Sequence, residues 1–441
     1  MAEVASMTPN GESTTTAVPI RELPNGWRIV RLRDVTLKTQ QFNPRKDPSS
    51  EFKYVDVSSV SPQSLSVQST TLYRGAYAPS RARKRIRSGD ILFATVRPSL
   101  RRVALVPPEL QEQFCSTAFC VVRANTEQAD PRFLFFALAS DDFVRRVSSH
   151  QRGSSYPAVT DKNVLEETIL LPPLDEQRTI GSILSAVQQA KGATEKVIAA
   201  TRELRQSIMR HFFTYGAASP VMAENAELKE TQVGRVPAHW DVTHLENIAE
   251  LTSGGTPSKS RPEMWSGNIP WASPKDLKMP RLRDTKDHLS ESGVERGSRL
   301  ASAGTILVVI RGMILAKNVP IALVEVPMAF NQDLKAIHAG PSVNAEYLFY
   351  ALSWLKGALA PEIGTSAHGT RRIGTSALAR LPIPLPPWRE QEEIAETLRA
   401  VDRKLETEKA RGRALATLFA ALLAELMTGR GHVMQTETGS V

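Results

Sequence analysis

Basic side chains cluster at two places along this chain of 441 residues, and such clusters bind phosphate groups. The clusters comprise Arg81, Arg83, Lys84, Arg85 and Arg87, and Lys275, Lys278, Arg281 and Arg283. The first contains no acidic residue, and the whole chain carries a formal net charge of +9. One cluster alone would indicate ordinary solvated surface charge, but two favour a polyanionic partner. These residues therefore predict contacts with DNA phosphates, which position the duplex without reading its sequence.

A second set of polar residues lies in loops rich in Gly, Pro and Ser. Arginine can donate two hydrogen bonds to O6 and N7 of guanine, so it can discriminate between bases. The predicted base-reading residues are Arg97, Arg101, Arg152, Tyr156, Lys259, Arg261, Arg311 and Arg371. Loss of a base-reading residue should relax specificity at one position, whereas loss of a phosphate contact should weaken binding to every sequence.

No motif of a catalytic, cofactor-binding or metal-binding site accompanies these basic residues. The glycine-rich string at residues 364–369 is followed by Thr370 and Arg371, not by the Lys-Ser/Thr pair of a phosphate-binding loop. The eight histidines lack zinc-ligand spacing. Cys115 and Cys120 are interpreted as core thiols, in keeping with a reducing cytoplasm. We therefore predict a non-catalytic, cytoplasmic chain, without the run of about 18 apolar residues that crosses a membrane.

The sequence repeats itself after about half its length. Residues 171–177, LPPLDEQ, return as residues 385–391, LPPWREQ, shifted by 214 positions (171 to 385). Further matches pair residues 133–138 with 347–352, 89–92 with 304–307, and 24–27 with 237–240. A period this long indicates two copies of one large module.

Each copy predicts a mixed α and β domain. In the first copy, strands are predicted at residues 91–96 and 119–122, and one helix over residues 130–147. Trp27 and Trp240, at matching positions near the start of each copy, are interpreted as core anchors. The aromatic residues of the 133–138 and 347–352 repeats, which recur at helical spacing, are interpreted as core.

A Pro-Pro pair ends each domain and a long helix follows, with Asp175 as the predicted N-cap of the first. Apolar residues that alternate by four and three predict a heptad seam with a polar middle. The seam residues are Ile180, Leu184, Val187, Ile198 and Ile208, and Ile394, Leu398, Val401, Leu415 and Leu422. An approximate twofold relation between the copies predicts antiparallel pairing; the alternative is that each helix packs on its own domain. Glu176-Gln177 and Glu390-Gln391 are interpreted as helix-start residues, with docking of another subunit as the alternative.

These observations predict a division of the chain into seven segments. They are a disordered N-terminus (1–20), a first mixed domain (21–171), a central long helix (172–216), a linker (217–233), a second mixed domain (234–384), a distal long helix (385–430) and a disordered tail (431–441).

A mixed domain, the Leu-Pro-Pro-x-x-Glu-Gln string, a long helix and a second copy of all three resemble the specificity (S) subunit of type I restriction–modification systems. The resemblance covers residues 21–430 and includes strings at residues 89–98, 153–159, 253–258, 269–271 and 330–336. It implies an α+β fold in which two mixed α/β target-recognition domains are separated by a pair of long antiparallel coiled-coil helices, with a pseudo-twofold internal repeat.

The resemblance also implies a function and a set of partners. Each domain would read one half of a split site in double-stranded DNA, while the helices would set the gap and carry two adenine-methylating modification subunits. Restriction (translocase/nuclease) subunits would join them. S-adenosylmethionine, ATP and Mg2+ are expected on those partner subunits, with no cofactor on this chain. Residues 214–233 lack the short tandem repeat that tunes the gap in some family members.

Two alternatives come from other functional classes. A coiled-coil protein–protein scaffold, or an inactive orphan specificity subunit, would read no DNA sequence. A free-standing nuclease or methyltransferase would require catalytic motifs that the sequence lacks. Salt-dependent, sequence-selective DNA binding separates a specificity subunit from a scaffold.

Because the two modules differ in sequence, they predict two different half-sites and hence an asymmetric target. Replacing residues 21–170 by the corresponding module of a related chain should change only one half of the target. Mapping methylated adenines in cells that carry either version measures this. A change in both halves, or a palindromic original target, would contradict the modular account.

Overall fold

A computed structural model of the chain describes residues 23–153, 157–219, 226–365 and 369–429. The chain divides into two compact units, one formed by residues 1–195 and 410–441 and the other by residues 196–409. Each unit contains one mixed domain and one section of each long helix. The termini predicted to be disordered, residues 1–20 and 431–441, lie outside the described residues.

In its described residues, the first domain is built from short strands and three helices that precede the long one. The strands are β1 (Arg28–Arg31), β2 (Thr36–Leu37), β3 (Glu51–Val55), β4 (Val60–Ser61), β5 (Ser66–Val67), β6 (Thr71–Arg74), β7 (Ala82–Arg85), β8 (Ile91–Ala94), β9 (Val103–Leu105), β10 (Phe114–Ser116), β11 (Phe119–Ala124) and β12 (Thr168–Leu171). The helices are α1 (Pro131–Ala139), α2 (Asp141–Ser149), α3 (Asp161–Glu166) and the long α4 (Leu174–Tyr215).

Two four-stranded sheets carry the first domain, with strand orders β6-β3-β10-β7 and β2-β11-β8-β9. The neighbours are antiparallel except for β3 and β10, which are parallel. A separate pair, β1 with β12, brings the start of the domain beside its end. The central strand β8 is buried along its whole length, and Phe133 and Phe136 of α1 pack in the same core as Phe93.

The predicted helix over residues 130–147 is two helices. Ser140 leaves the helical conformation, with φ −66° and ψ 149°, and its side chain accepts a hydrogen bond from the amide of Phe143. A serine in this position ends one helix and caps the next. The prediction of one continuous helix was therefore wrong, because periodicity does not register a cap inside an apolar pattern.

The second domain has the same kind of elements. Its strands are β13 (Leu228–Thr231), β14 (Gly234–Pro237), β15 (Asp241–His244), β16 (Ala249–Ser253), β17 (Ile269–Ala272), β18 (Arg281–Leu282), β19 (Asp287–Leu289), β20 (Leu300–Ala301), β21 (Ile306–Val309), β22 (Ile321–Val324), β23 (Met328–Phe330), β24 (Leu334–Ala339), β25 (Ile363–Thr365), β26 (Arg371–Ile373) and β27 (Pro382–Leu385). Its helices are α5 (Leu245–Ile248), α6 (Glu291–Gly297), α7 (Ala345–Leu355), α8 (Thr375–Ala379) and the long α9 (Trp388–Leu426).

The sheets of the second domain repeat the topology of the first. The order β16-β24-β21-β22 matches β2-β11-β8-β9, and β19-β17-β23-β20 matches β6-β3-β10-β7. The one parallel pair in the latter sheet, β17 with β23, stands where β3 pairs with β10. The second domain adds β18 beside β22 and the hairpin β13-β14, whose first strand lies in the predicted linker. The predicted class, two similar mixed domains with two long helices, is confirmed.

The two long helices run antiparallel where they meet in the second unit. Arg205 on α4 pairs with Asp402 on α9 at 2.5 Å, and the amide of Ala217, just after α4, donates to Glu390 at 2.9 Å. Residue numbers thus rise along one helix while they fall along the other. Helix α4 begins at Leu174, so Asp175 lies inside the first turn and is not the N-cap.

The predicted seam faces inward in both units, since each of its residues is buried or partly buried. Its polar middle is accommodated locally. The hydroxyls of Thr194 and Thr201, both buried, donate to the carbonyls of Ala190 and Val197 one turn earlier. Hydroxyls bonded within their own helix can be buried without an external partner.

In the first unit, Glu176 and Gln177 bind the start of α4 to the domain. A carboxylate oxygen of Glu176 accepts a hydrogen bond from the indole of Trp27 at 3.1 Å. Gln177 is buried; its Oε1 accepts from the amide of Asp130 at 2.9 Å and its Nε2 donates to the carbonyl of Pro172 at 2.8 Å. Asp130 caps α1, so one glutamine joins the starts of two helices.

The second unit repeats these contacts. Glu390 accepts from the indole of Trp240 at 3.0 Å, and Oε1 of Gln391 accepts from the amide of Asn344, the cap of α7, at 2.8 Å. The interpretation of both Glu-Gln pairs as helix-start chemistry alone was therefore wrong, because their bonds join segments about 50 to 150 positions apart. The two tryptophans are confirmed as buried core anchors.

A glycine follows the end of each long helix and packs closely against another segment of the same unit. Gly216 follows α4 with φ +71°, and a Cβ there would lie 2.3 Å from Glu390. Gly429 follows α9 with φ +68°, and a Cβ there would lie 2.7 Å from Pro24. Both the left-handed backbone and the close approach require glycine.

Replacing Gln391 by Leu should lower the free energy of unfolding by about 2–4 kcal/mol, because it leaves the amide of Asn344 and the carbonyl of Pro386 buried without their partner. Urea denaturation measures the change. Glu392→Leu, on the exposed face one residue later, is the control and should change the stability by less than about 0.5 kcal/mol. Equal losses in the two variants would contradict a structural role for the amide.

Candidate nucleic-acid interface

Lys84 in β7 is a buried residue, not a surface charge. It is 7% exposed, and its ammonium donates to the carbonyl of Phe119 at 2.6 Å and pairs with Asp161. A phosphate contact would require breaking both bonds. We therefore withdraw Lys84 from the predicted phosphate-binding residues. The alternation of side chains along a strand turns Lys84 inward while Arg85 points outward.

The other members of the first basic cluster lie at the surface. Arg85 and Arg87 both pair with Glu112, at 2.7 and 2.8 Å, and Arg81 is exposed. Arg83 is partly buried and donates to the carbonyl of Ala82 at 2.9 Å. Exposed ion pairs contribute little stability, so the arginines on Glu112 can exchange that carboxylate for a phosphate.

In the second basic cluster, Arg281 has a structural role. Its guanidinium donates to both carboxylate oxygens of Glu346, at 2.9 and 2.5 Å, and lies over the ring of Phe349. Because its donors are held by this carboxylate, Arg281 too is withdrawn from the predicted phosphate contacts. Arg283, which pairs with Glu325, and Lys278 are exposed, so both remain predicted phosphate contacts.

Lys275 and Lys259 lie around one carboxylate. The hydrogen bond from Lys275 to Asp287, at 2.6 Å, lowers the pKa of Asp287 and raises that of Lys275. Lys259 and Lys286 also lower the pKa of this carboxyl. Lys259, a predicted base-reading residue, and Lys275, a predicted phosphate-binding residue, thus act electrostatically on the same carboxyl, together with Lys286, which was not predicted.

The predicted base-reading arginines of the first domain meet at residues 95–102, which join β8 to β9 and are called the first tip loop. The amide of Arg97 donates to the carbonyl of Pro157 at 2.8 Å, and the backbone of Arg152 bonds to Ala158. Arg97 and Arg152 are thus held on neighbouring segments. Arg101, in the same loop, pairs with Asp141 on α2. Tyr156 lies outside the described residues.

The second tip loop, residues 310–320, joins β21 to β22 at the equivalent position. The backbones of Arg311 and Arg372 form an isolated antiparallel β-bridge. The amide of Gly312 donates a hydrogen bond to the carbonyl of Arg371 at 3.0 Å. The structure therefore brings Arg311 and Arg371, both predicted base readers, to one place. Arg261 is exposed on a different loop, between β16 and β17.

A groove of about 560 Å³ beside the second tip loop was not predicted. Its lining includes Lys317, Lys356, Arg371 and the partly exposed Trp354. The lysines are isolated along the chain, so no local cluster marked them. Only folding places them beside Arg371.

Other predicted features also have defined places in the structure. Cys115 and Cys120 are buried free thiols whose pKa values are raised by burial, which confirms them as core residues. Within the described ranges, no group of three or more His, Cys, Asp or Glu side chains is arranged to hold a metal ion. In the same part of the chain, no helix is long and apolar enough to span a membrane.

The family described as "Type I restriction modification DNA specificity domain" matches residues 24–201 and again residues 237–415. The chain belongs to this family. Specificity subunits are the DNA-recognition, non-catalytic component of type I systems. The two matches correspond to the two copies inferred from the repeated motifs.

Individual relatives agree with this family. The chain is 32% identical over 160 residues to the Type I restriction enzyme EcoR124I/EcoR124II specificity subunit of Escherichia coli, a match that covers 36% of this chain and 40% of the relative. It is 21% identical to the putative MjaX specificity subunit of Methanocaldococcus jannaschii, over 94% of this chain and 96% of the relative. The chain thus spans less than half the length of the first relative and nearly all of the second.

Solved structures show the same fold. A chain from a study of complex assembly and conformational transition of the type I R-M system superposes with a TM-score of 0.52 at 29% identity, covering 93% of this chain and 100% of the other. The S subunit from M. genitalium superposes with a TM-score of 0.63, covering 92% and 98%. At 15% identity, the latter supports the fold alone.

Arg81→Ala should weaken binding of the assembled complex to specific and unrelated DNA alike and reduce the salt dependence of binding by about one phosphate contact. Lys84→Met should leave that salt dependence unchanged while destabilising the first domain. Titrations of fluorescent duplexes at several salt concentrations measure both variants. Loss of affinity at a single base position in Arg81→Ala would instead identify a base contact.

Proposed function

We propose that this chain is the DNA sequence-specificity subunit of a type I restriction–modification complex. Each target-recognition domain reads one half of an asymmetric bipartite site in double-stranded DNA. The paired helices set the gap and carry two modification subunits that methylate adenine. Restriction subunits join this core, and the complex works in the cytoplasm.

The observation that carries the proposal is one topology repeated with different loop residues. The matching sheet orders provide two equivalent frames, while the loops between β8 and β9 and between β21 and β22 present different side chains. Equivalent frames suit a duplex that presents equivalent grooves, and different loops suit different bases. A scaffold that read no sequence would not need this combination.

The proposed domain limits follow the sequence repeat, with target recognition by residues 21–171 and 234–384 and spacing by residues 172–216 and 385–430. The phosphate contacts we propose are Arg81, Arg83, Arg85, Arg87, Lys275, Lys278 and Arg283, and the base contacts are Arg97, Arg101, Arg152, Tyr156, Lys259, Arg261, Arg311 and Arg371. S-adenosylmethionine, ATP and Mg2+ belong to the partner subunits.

Adenine methylation mapped by single-molecule sequencing tests the proposal in host cells with and without this chain, with the modification subunit expressed in both. We expect a split motif, methylated in both halves, that disappears with the chain and returns when it is restored. An unchanged methylome with both proteins present would overturn the proposal and support an inactive orphan or a scaffold.

A further inference from the structure

Each tip loop carries exposed apolar side chains among arginines. Leu100 in the first tip loop is 48% exposed, while Met313 and Ile314 in the second are 66% and 41% exposed. Exposed apolar residues are ordinary when scattered singly. These occupy equivalent places in two similar domains, so they require an explanation.

The two loops are built alike. In each, a residue with positive φ donates its amide to a neighbouring segment: Arg97, with φ +49°, to Pro157, and Gly312, with φ +143°, to Arg371. A single 3-10 turn follows in both, Pro98–Leu100 and Met313–Ala316. In each domain, the hydrogen bond at the base of the loop leaves the 3-10 turn at the surface.

The first loop is strained and pinned. Arg97 and Arg101 both adopt the left-handed conformation, at φ +49° and +51°, which non-glycine residues avoid. Bonds from the amide of Leu100 to Arg97 and from the amide of Arg101 to Pro98, both 2.9 Å, hold the turn between them. Such strain persists only where the surrounding structure enforces it, and it concentrates at functional sites.

The surroundings indicate what the tips contact. Arg311, Arg371 and Arg372 surround the base of the second loop, and Arg152 is on the segment beside the first. One or two side chains are far too small an apolar area for a stable protein interface of about 1,000 Å². They match the methyl group of thymine, which is the apolar feature that the major groove offers beside its polar base edges.

We propose that Leu100, Met313 and Ile314 are specificity-determining residues that contact thymine methyl groups in the major groove. The inference rests on the proposed function and adds to it a class of base contact that arginines cannot make. One apolar tip residue in the first domain and two in the second distinguish the two half-sites.

The test uses the assembled complex and duplexes that carry the mapped target, with each thymine replaced in turn by deoxyuridine. Removing one contacted methyl group should weaken binding by wild-type complex about fourfold. Met313→Ala should weaken binding to the thymine duplex about fivefold or more, and Met313→Ala combined with Ile314→Ala should no longer distinguish thymine from deoxyuridine in that half-site. The deoxyuridine comparison leaves the protein unchanged, so its result is independent of folding.

The chain offers matched controls. Met279→Ala removes an exposed methionine elsewhere in the second domain, and Leu72→Ala removes an exposed leucine elsewhere in the first. Both should keep the wild-type response to deoxyuridine. Leu100→Ala should lose that response only in the half-site that Met313→Ala leaves unaffected.

The outcomes separate this inference from the proposed function. If wild-type complex binds the split target but shows no deoxyuridine sensitivity, or if the Met313→Ala/Ile314→Ala double variant and Leu100→Ala keep that sensitivity, the thymine contact is overturned and the specificity function stands. The thymine contact is also overturned if neither half of the mapped target contains thymine. If wild-type complex prefers no sequence, the proposed function fails and this inference fails with it.

Discussion

A buried glutamine that joins two helix starts is the interaction on which the arrangement of each module depends. Gln177 and Gln391 each fix the beginning of a long helix to the cap of the helix that packs on the domain's sheet. The neighbouring glutamate accepts the indole N–H of a buried tryptophan. Because a buried amide without its partners is costly, these hydrogen bonds hold the start of the helix against the domain. The spacing role proposed for the helices requires a fixed junction of this kind.

The junctions at Gln177 and Gln391 belong to the part of each module that is repeated, whereas the loops differ between the modules. The shared strand orders, the Glu-Gln contacts and the glycines that follow both long helices recur in the two units, while the tip loops differ. Loops carried on a rigid scaffold are where proteins usually place recognition. A duplicated frame with different loops therefore suits the proposed reading of two different half-sites without a second fold.

Some basic residues of this chain stabilise the fold, while others lie at the surface. Lys84 and Arg281 belong to basic clusters in the sequence, yet each holds elements of its own domain together through a carboxylate and additional contacts. Conversely, Lys317 and Lys356 are isolated in the sequence and meet Arg371 only in the folded domain. A count of basic residues indicates a polyanionic partner, but it does not locate the contacts, because strand alternation and long-range pairing decide which charges reach the surface.

The duplication, the mixed domains, the long helices and the inward face of the seam could all be predicted from the sequence, because repeated motifs and heptad spacing are visible along the chain. The sequence also identified Trp27 and Trp240 as anchors and the two cysteines as core residues. It could not show that Ser140 divides a helix or that Glu176 reaches Trp27. The serine cap is a local hydrogen bond that leaves the apolar periodicity unchanged, whereas the hydrogen bond of Trp27 to Glu176 forms only when distant segments are packed together. The tertiary structure alone decided which basic residues are buried and which loops are equivalent, because burial and proximity are properties of the folded chain.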